Sequence, residues 1–174
     1  MRKINALLSL LSTSLVLYHA VLHGIRMLSM GRIDVSIDFL SWVLMGLVIL
    51  HAFVSLEMAA TEIMKADKRK CKTYFKLNIS IMIQRITGIL MLIFAGLHIA
   101  GATKAMTPPQ IVHAIVPPLF FIIVLVHTAF STSKAFITLG IGNARTVKVI
   151  DVFMKVICAI TLVADIVGFY LYQV

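Results

Sequence analysis

A chain of 174 residues is one domain's worth, and it reads as a single domain over residues 1–174. Hydrophobic residues make up 60% of it and charged residues only 13%, where soluble domains carry about a quarter charged; no water-exposed surface can be built from this, so a lipid bilayer is the main solvent. The net charge of +9 does not indicate a nucleic-acid partner, because the basic residues sit in the breaks between apolar runs, as in a multi-pass membrane protein.

The first apolar run covers residues 5–27 and ends at Arg26 and Arg32. Met1-Arg2-Lys3 ahead of it imitates a signal peptide, but the run is long, lacks a small-x-small cleavage site and holds His19 and His23. It is therefore expected to remain as the first span. The second run, 35–60, opens with Asp34 and Asp38 and closes on the basic stretch from Lys65 to Lys70. The third, 77–102, carries Arg85 in its first turns, and Thr107-Pro108-Pro109-Gln110 then breaks the chain.

Pro117-Pro118 complicates the fourth run, since a proline inside a helix removes a hydrogen bond and clashes with the preceding turn. A short interfacial helix over 110–116, with the span starting at Pro117 and ending near Gly140, is preferred to a kinked span. The fifth run covers 149–171 after a polar loop at 143–148. The predicted fold is an all-α integral membrane bundle of five transmembrane helices.

Arg2 and Lys3 share one side with the basic residues between Lys65 and Lys76 and with Lys134, Arg145 and Lys148. The other side has only Arg26, Arg32 and Lys104. The positive-inside rule then puts the N-terminus in the cytoplasm and the C-terminus outside. Cys71 and Cys158 form no C-x-x-C or C-x-x-C-H spacing, so neither a zinc knuckle nor covalent haem is supported.

Histidines inside a bilayer are costly and mark function by default; a neutral histidine hydrogen-bonded between helices is the plain alternative for any single one. Depth separates the two readings. His19 lies seven residues before Arg26 and His98 six before Lys104, so both are about 9–10 Å from the outer boundary at 1.5 Å per residue. His51 lies six residues before Glu57 and His127 seven before Lys134, about 10 Å from the cytoplasmic boundary. Four helices thus supply two imidazoles at each of two levels. That suits two b haems with bis-histidine ligation, His19 with His98 and His51 with His127. Zinc and copper usually recruit three or more clustered ligands. His23 is the alternative to His19, only about 4.5 Å in depth from Arg26. His113 reads as a headgroup-facing residue.

Gln84-Arg85-Ile86-Thr87-Gly88-Ile89, with His98 thirteen residues after the arginine, resembles the Q-R-[IV]-T-G…H stretch of the cytochrome b membrane anchors of succinate:quinone oxidoreductases (succinate dehydrogenase and fumarate reductase), closest to the single-chain, five-helix, di-haem type. Leu17-Tyr18-His19, Leu50-His51-Ala52 and Val126-His127-Thr128 fall where that family places its other ligands, and the family pairs first span with third and second with fourth.

The resemblance implies a bacterial-type plasma-membrane subunit that passes electrons between an iron–sulfur subunit and a membrane quinone, with menaquinone the expected type. Succinate–fumarate chemistry would belong to a partner flavoprotein on the cytoplasmic side, and the chain itself has no flavin motif. The basic segment 65–76 is the expected docking face. Arg85 is the candidate partner of an inner-haem propionate, or else snorkels to the headgroups. Some family members carry an ionisable group beside the inner ligand, where this chain has Leu125 and Val126. Asp34 and Asp38 are the candidate proton acceptors at a quinone site, with capping of the second helix as the alternative. Two other readings stand beside this one: a di-haem anchor for another membrane oxidoreductase, and a haem-free transporter or proton channel using a histidine relay.

Overall fold

The computed structural model describes residues 1–29, 32, 38–65, 79–102 and 110–173. They form five helices and, among the described residues, no strand: α1 (Arg2–Leu28), α2 (Asp38–Lys65), α3 (Ile79–Ala102), α4 (Gln110–Leu139) and α5 (Ala144–Gln173). Each contains an apolar stretch of 20 to 28 residues with mean hydropathy between 1.6 and 2.2, enough to cross a hydrocarbon core about 30 Å thick. A helix satisfies its own backbone groups, which lipid cannot do.

α4 runs unbroken through Pro117 and Pro118, so the separate interfacial helix expected over 110–116 is not formed. The apolar span begins at Ile115, ahead of both prolines. The two missing N–H donors would have served the carbonyls of residues 113 and 114, within the first two turns of the helix. In an apolar solvent, keeping the remaining backbone bonds outweighs that local loss.

The turn between α4 and α5 is set by sequence. Gly140 and Gly142 have φ of 73° and 84°, a conformation glycine adopts without strain. Gly140 N–H donates to Ile137 O and Ile141 N–H to Phe136 O, at 3.1 and 3.0 Å, the paired bonds of a Schellman motif. Asn143 Oδ1 then accepts from Thr146 N–H at 2.9 Å and caps α5.

α1 packs against α2, α4 and α5, and α4 also packs against α3 and α5. Four helices therefore form a ring in the order α2, α1, α4, α3, while α5 covers the α1–α4 seam from outside. α2 and α3 share no extended packing among the described residues, leaving that side of the ring open. The buried core comes almost wholly from α1, α4 and α5, through residues such as Ala6, Ser9, Ser12, Thr128, Ser131, Ala135 and Cys158. Small side chains allow the close backbone approach on which helix association in lipid depends. Cys158 is a free thiol; Cys71 lies outside the described residues.

Successive helices alternate in direction, so the bundle has two ends. One, the basic end, holds Arg2, Glu62, Arg85 and Lys134; the other holds Arg26 and the start of α2.

Candidate functional site

The structure gathers His19, His23 and His98 toward one end of the bundle and His51 with His127 toward the basic end. On α1 the His19 and His23 rings stack, with centroids 6.3 Å apart and planes 11° from parallel. His98 of α3 is within electrostatic range of both. Aromatic residues of α4 complete this level: Phe121 lies 5.8 Å from His23 and Phe120 lies 5.3 Å from His98, centroid to centroid. His19 and His23 differ in their partners. Ser41 Oγ of α2 is 3.3 Å from His19 Nδ1, whereas His23 meets the aromatic Phe121. A hydroxyl on Nδ1 leaves Nε2 as the ring nitrogen for a metal, the usual arrangement of a ligating histidine.

The second level repeats this arrangement. His51 of α2 and His127 of α4 are within electrostatic range of each other, across the ring from helices that do not pack together. Thr87 Oγ1 of α3 is 3.1 Å from His127 Nδ1, and the same hydroxyl donates to Ile83 O at 2.7 Å, which leaves its oxygen to accept from the imidazole. His51 Nδ1 is buried with no hydrogen-bond partner.

The stretch from Gln84 to Gly88 is the scaffold of this level. Gln84 Oε1 accepts from Lys134 Nζ at 3.1 Å, joining α3 to α4. Arg85 forms a hydrogen-bonded ion pair with Glu62, joining α3 to α2 across the open side of the ring. Thr87 holds the imidazole, and Gly88 makes room for it: a Cβ there would sit 3.1 Å from His127 Cε1. Ile86 and Ile89 point outward, 50% and 52% exposed, as befits the lipid face. Arg2 adds a second cation 3.7 Å from Glu62, and Ser55 Oγ donates to Asn5 Oδ1 at 2.8 Å, tying α2 to α1.

Comparison of the chain with protein-family models, curated proteins and solved structures gives no match.

The donor set fits haem b. Each level offers one imidazole from each of two diagonally opposed helices, and three features suit a ligating pair: the hydroxyl on His19, the hydroxyl on His127 and the clearance at Gly88. Among the described residues no three His, Cys, Asp or Glu side chains gather as a metal site, so a compact three-ligand zinc or copper centre has no such set there. Arg85 pairs with Glu62, a partner that the spacing of the sequence did not suggest. Asp34 lies outside the described residues. Asp38 starts α2, but its side chain, like that of His113, is outside the described set, as is the segment 66–78.

One buried group was not anticipated. Asp165 of α5 is 1% exposed, and its Oδ1 has no hydrogen-bond partner. The signal was available: an acid inside an apolar run is a functional candidate in itself.

Proposed function

We propose that this chain is the membrane anchor and di-haem electron conduit of a succinate:quinone oxidoreductase. His19 and His98 would hold one b haem and His51 and His127 the other; two such groups at different depths supply one-electron transfer across the bilayer. The observation that carries this reading is the double occurrence of one local arrangement. At each level two imidazoles come from helices that do not pack against each other, and one of them has its Nδ1 held by a hydroxyl from a third helix: Ser41 for His19 and Thr87 for His127.

The chain's own residues do three things in this scheme. Ser41 and Thr87 fix ring orientation and leave Nε2 available. Glu62 and Arg85 clasp α2 to α3 at the basic end, where the ring is otherwise open. The positive charge of that end, cytoplasmic by the positive-inside rule, complements an acidic iron–sulfur partner, and the flavoprotein would dock through that partner. A membrane quinone, expected to be menaquinone, would exchange electrons near His19 and His98, with Asp34 and Asp38 as candidate proton acceptors. The resemblance of the Gln84–Gly88 stretch to the anchor family favours succinate and fumarate over the substrates of other di-haem oxidoreductases.

The test is purification through a tag on this chain from its native membrane. Co-purification of a flavin-containing and an iron–sulfur subunit, with succinate-dependent quinone reduction or quinol-dependent fumarate reduction, supports the reading. Haem-bearing protein that brings down a different redox partner would reassign the complex. Protein without haem would remove the reading.

A further inference from the structure

Lys134 of α4 reaches across to α3, where its Nζ donates to Gln84 Oε1 at 3.1 Å, and the residue is half-buried. The helix period fixes the faces involved. Lys134 is seven residues from His127, close to two turns, so both share one face of α4. Gln84 is fourteen residues from His98, close to four turns, so both share one face of α3. The Lys134–Gln84 bridge therefore joins the same two helix faces that carry the histidines. It stands on the basic-end side of the place where Thr87 and Gly88 meet the His127 ring. Lys134 is also within electrostatic range of His127.

The bridge leaves the ammonium without an anion. Arg2 and Arg85 both pair with Glu62, and Lys155 pairs with Asp151. Among the described residues no carboxylate pairs with Lys134. Gln84 supplies a neutral oxygen to one of its three N–H donors. Cations within a membrane span are usually paired, so this position calls for an anionic oxygen.

Two sources could supply one: the phosphate of a lipid headgroup at the boundary, or a carboxylate inside the ring. Lys134 lies on the ligand-bearing face of α4, and Gln84 draws its ammonium to α3 instead of leaving it free to snorkel. Its separation from His127 along α4, about 10 Å, is comparable to the span from a haem iron to its propionate carboxylates. Arg85 is turned about 100° round α3 from Gln84, toward α2 and its ion pair with Glu62. These relations favour the carboxylate inside the ring.

We propose that Lys134, held in place by Gln84, binds a propionate carboxylate of the haem at the His51–His127 level. The inference rests on the di-haem reading above, and it gives to α4 a role for which the sequence offers Arg85 of α3.

The experiment is a redox titration of the haem-bearing complex, with resonance Raman spectra of the propionate bending modes, for Lys134→Met, Lys134→Arg, Gln84→Leu and Arg85→Gln. Loss of a positive charge beside a haem favours its oxidised form. Lys134→Met should therefore lower the midpoint of the His51-level component and shift its propionate band, with the His19-level component unmoved. Lys134→Arg should restore both signals, and Gln84→Leu, which keeps the lysine, should reproduce part of the shift even if Lys134→Met does not assemble. Unmoved signals in both Lys134→Met and Gln84→Leu would overturn the proposal, as would a larger shift in Arg85→Gln than in Lys134→Met. Loss of a bound anionic phospholipid in native mass spectrometry, with the haem signals unmoved, would give the ammonium to a lipid phosphate instead. An unaltered complex without haem would overturn the di-haem reading itself and this inference with it, a result distinct from all of these.

Discussion

Thr87 Oγ1 stands 3.1 Å from Nδ1 of His127, so a threonine of α3 orients an imidazole of α4 that lies within electrostatic range of His51 of α2. Three helices converge on one side chain, and the stretch from Gln84 to Gly88 acquires a physical meaning residue by residue. Ligating histidines depend on such outer partners, whose loss typically costs about 10- to 100-fold in metal affinity. Thr87→Val, which keeps the shape and removes the hydroxyl, is expected to lower occupancy or shift the potential of the haem at the His51 level only. Ser41→Ala should act the same way at the His19 level. Redox titration of the visible spectrum of each variant checks this, and both variants affecting the same component would contradict the assignment of levels.

Gly88 presents a sharper constraint on the same ring. A methyl group there would come within 3.1 Å of His127 Cε1, forcing the imidazole to move by a few tenths of an ångström. Gly88→Ala is expected to disturb the His127-level spectrum while leaving the His19 level unchanged. A wild-type spectrum would show that the His127 ring does not need its present position.

Arg85 and Glu62 bridge the side of the ring where α2 and α3 do not otherwise pack. Both side chains are about one-third exposed, 34% and 39%, so the pair is screened; its coupling in a double-mutant cycle of Arg85→Gln and Glu62→Gln is expected at about 0.2–1 kcal/mol by thermal unfolding. If Arg85 also serves a haem propionate, Arg85→Gln shifts the potential of the His51-level haem and Glu62→Gln shifts it less. Equal shifts would confine Arg85 to the ion pair.

Gly24 of α1 lies directly against Asp165 of α5. Gly24→Ala puts a methyl carbon 3.0 Å from Asp165 Oδ1, and overpacking of this kind costs about 1–3 kcal/mol. A lowered unfolding temperature in detergent is the expected result. An unchanged one would mean that the carboxyl rotates away freely and that α1 and α5 are loosely packed there.

Much of this was legible in the sequence because a transmembrane helix converts residue number into depth. The helix count follows from the apolar runs, and the two histidine levels follow from 1.5 Å per residue measured against flanking charges. His19 and His98, and His51 and His127, emerge as neighbours without any knowledge of side-chain packing. Azimuth is what depth leaves out. That Glu62 reaches Arg85, or that Ser41 rather than another hydroxyl meets His19, depends on how helices rotate against each other. Pro117-Pro118 does not end a helix here, because lipid enforces continuous backbone hydrogen bonding where water would not. Asp165 is visible in the sequence as an acid inside an apolar run, but the absence of a histidine on the fifth helix gives it no partner at a known depth.

Two bis-histidine haems at two levels are tested most directly by haem b per chain in the purified protein, repeated for His98→Ala and His51→Ala with reduced-minus-oxidised spectra. Two haems are expected in the unaltered chain and one in each variant, with a different spectral component lost in each. Absence of haem, or loss of the same component in both variants, would contradict it.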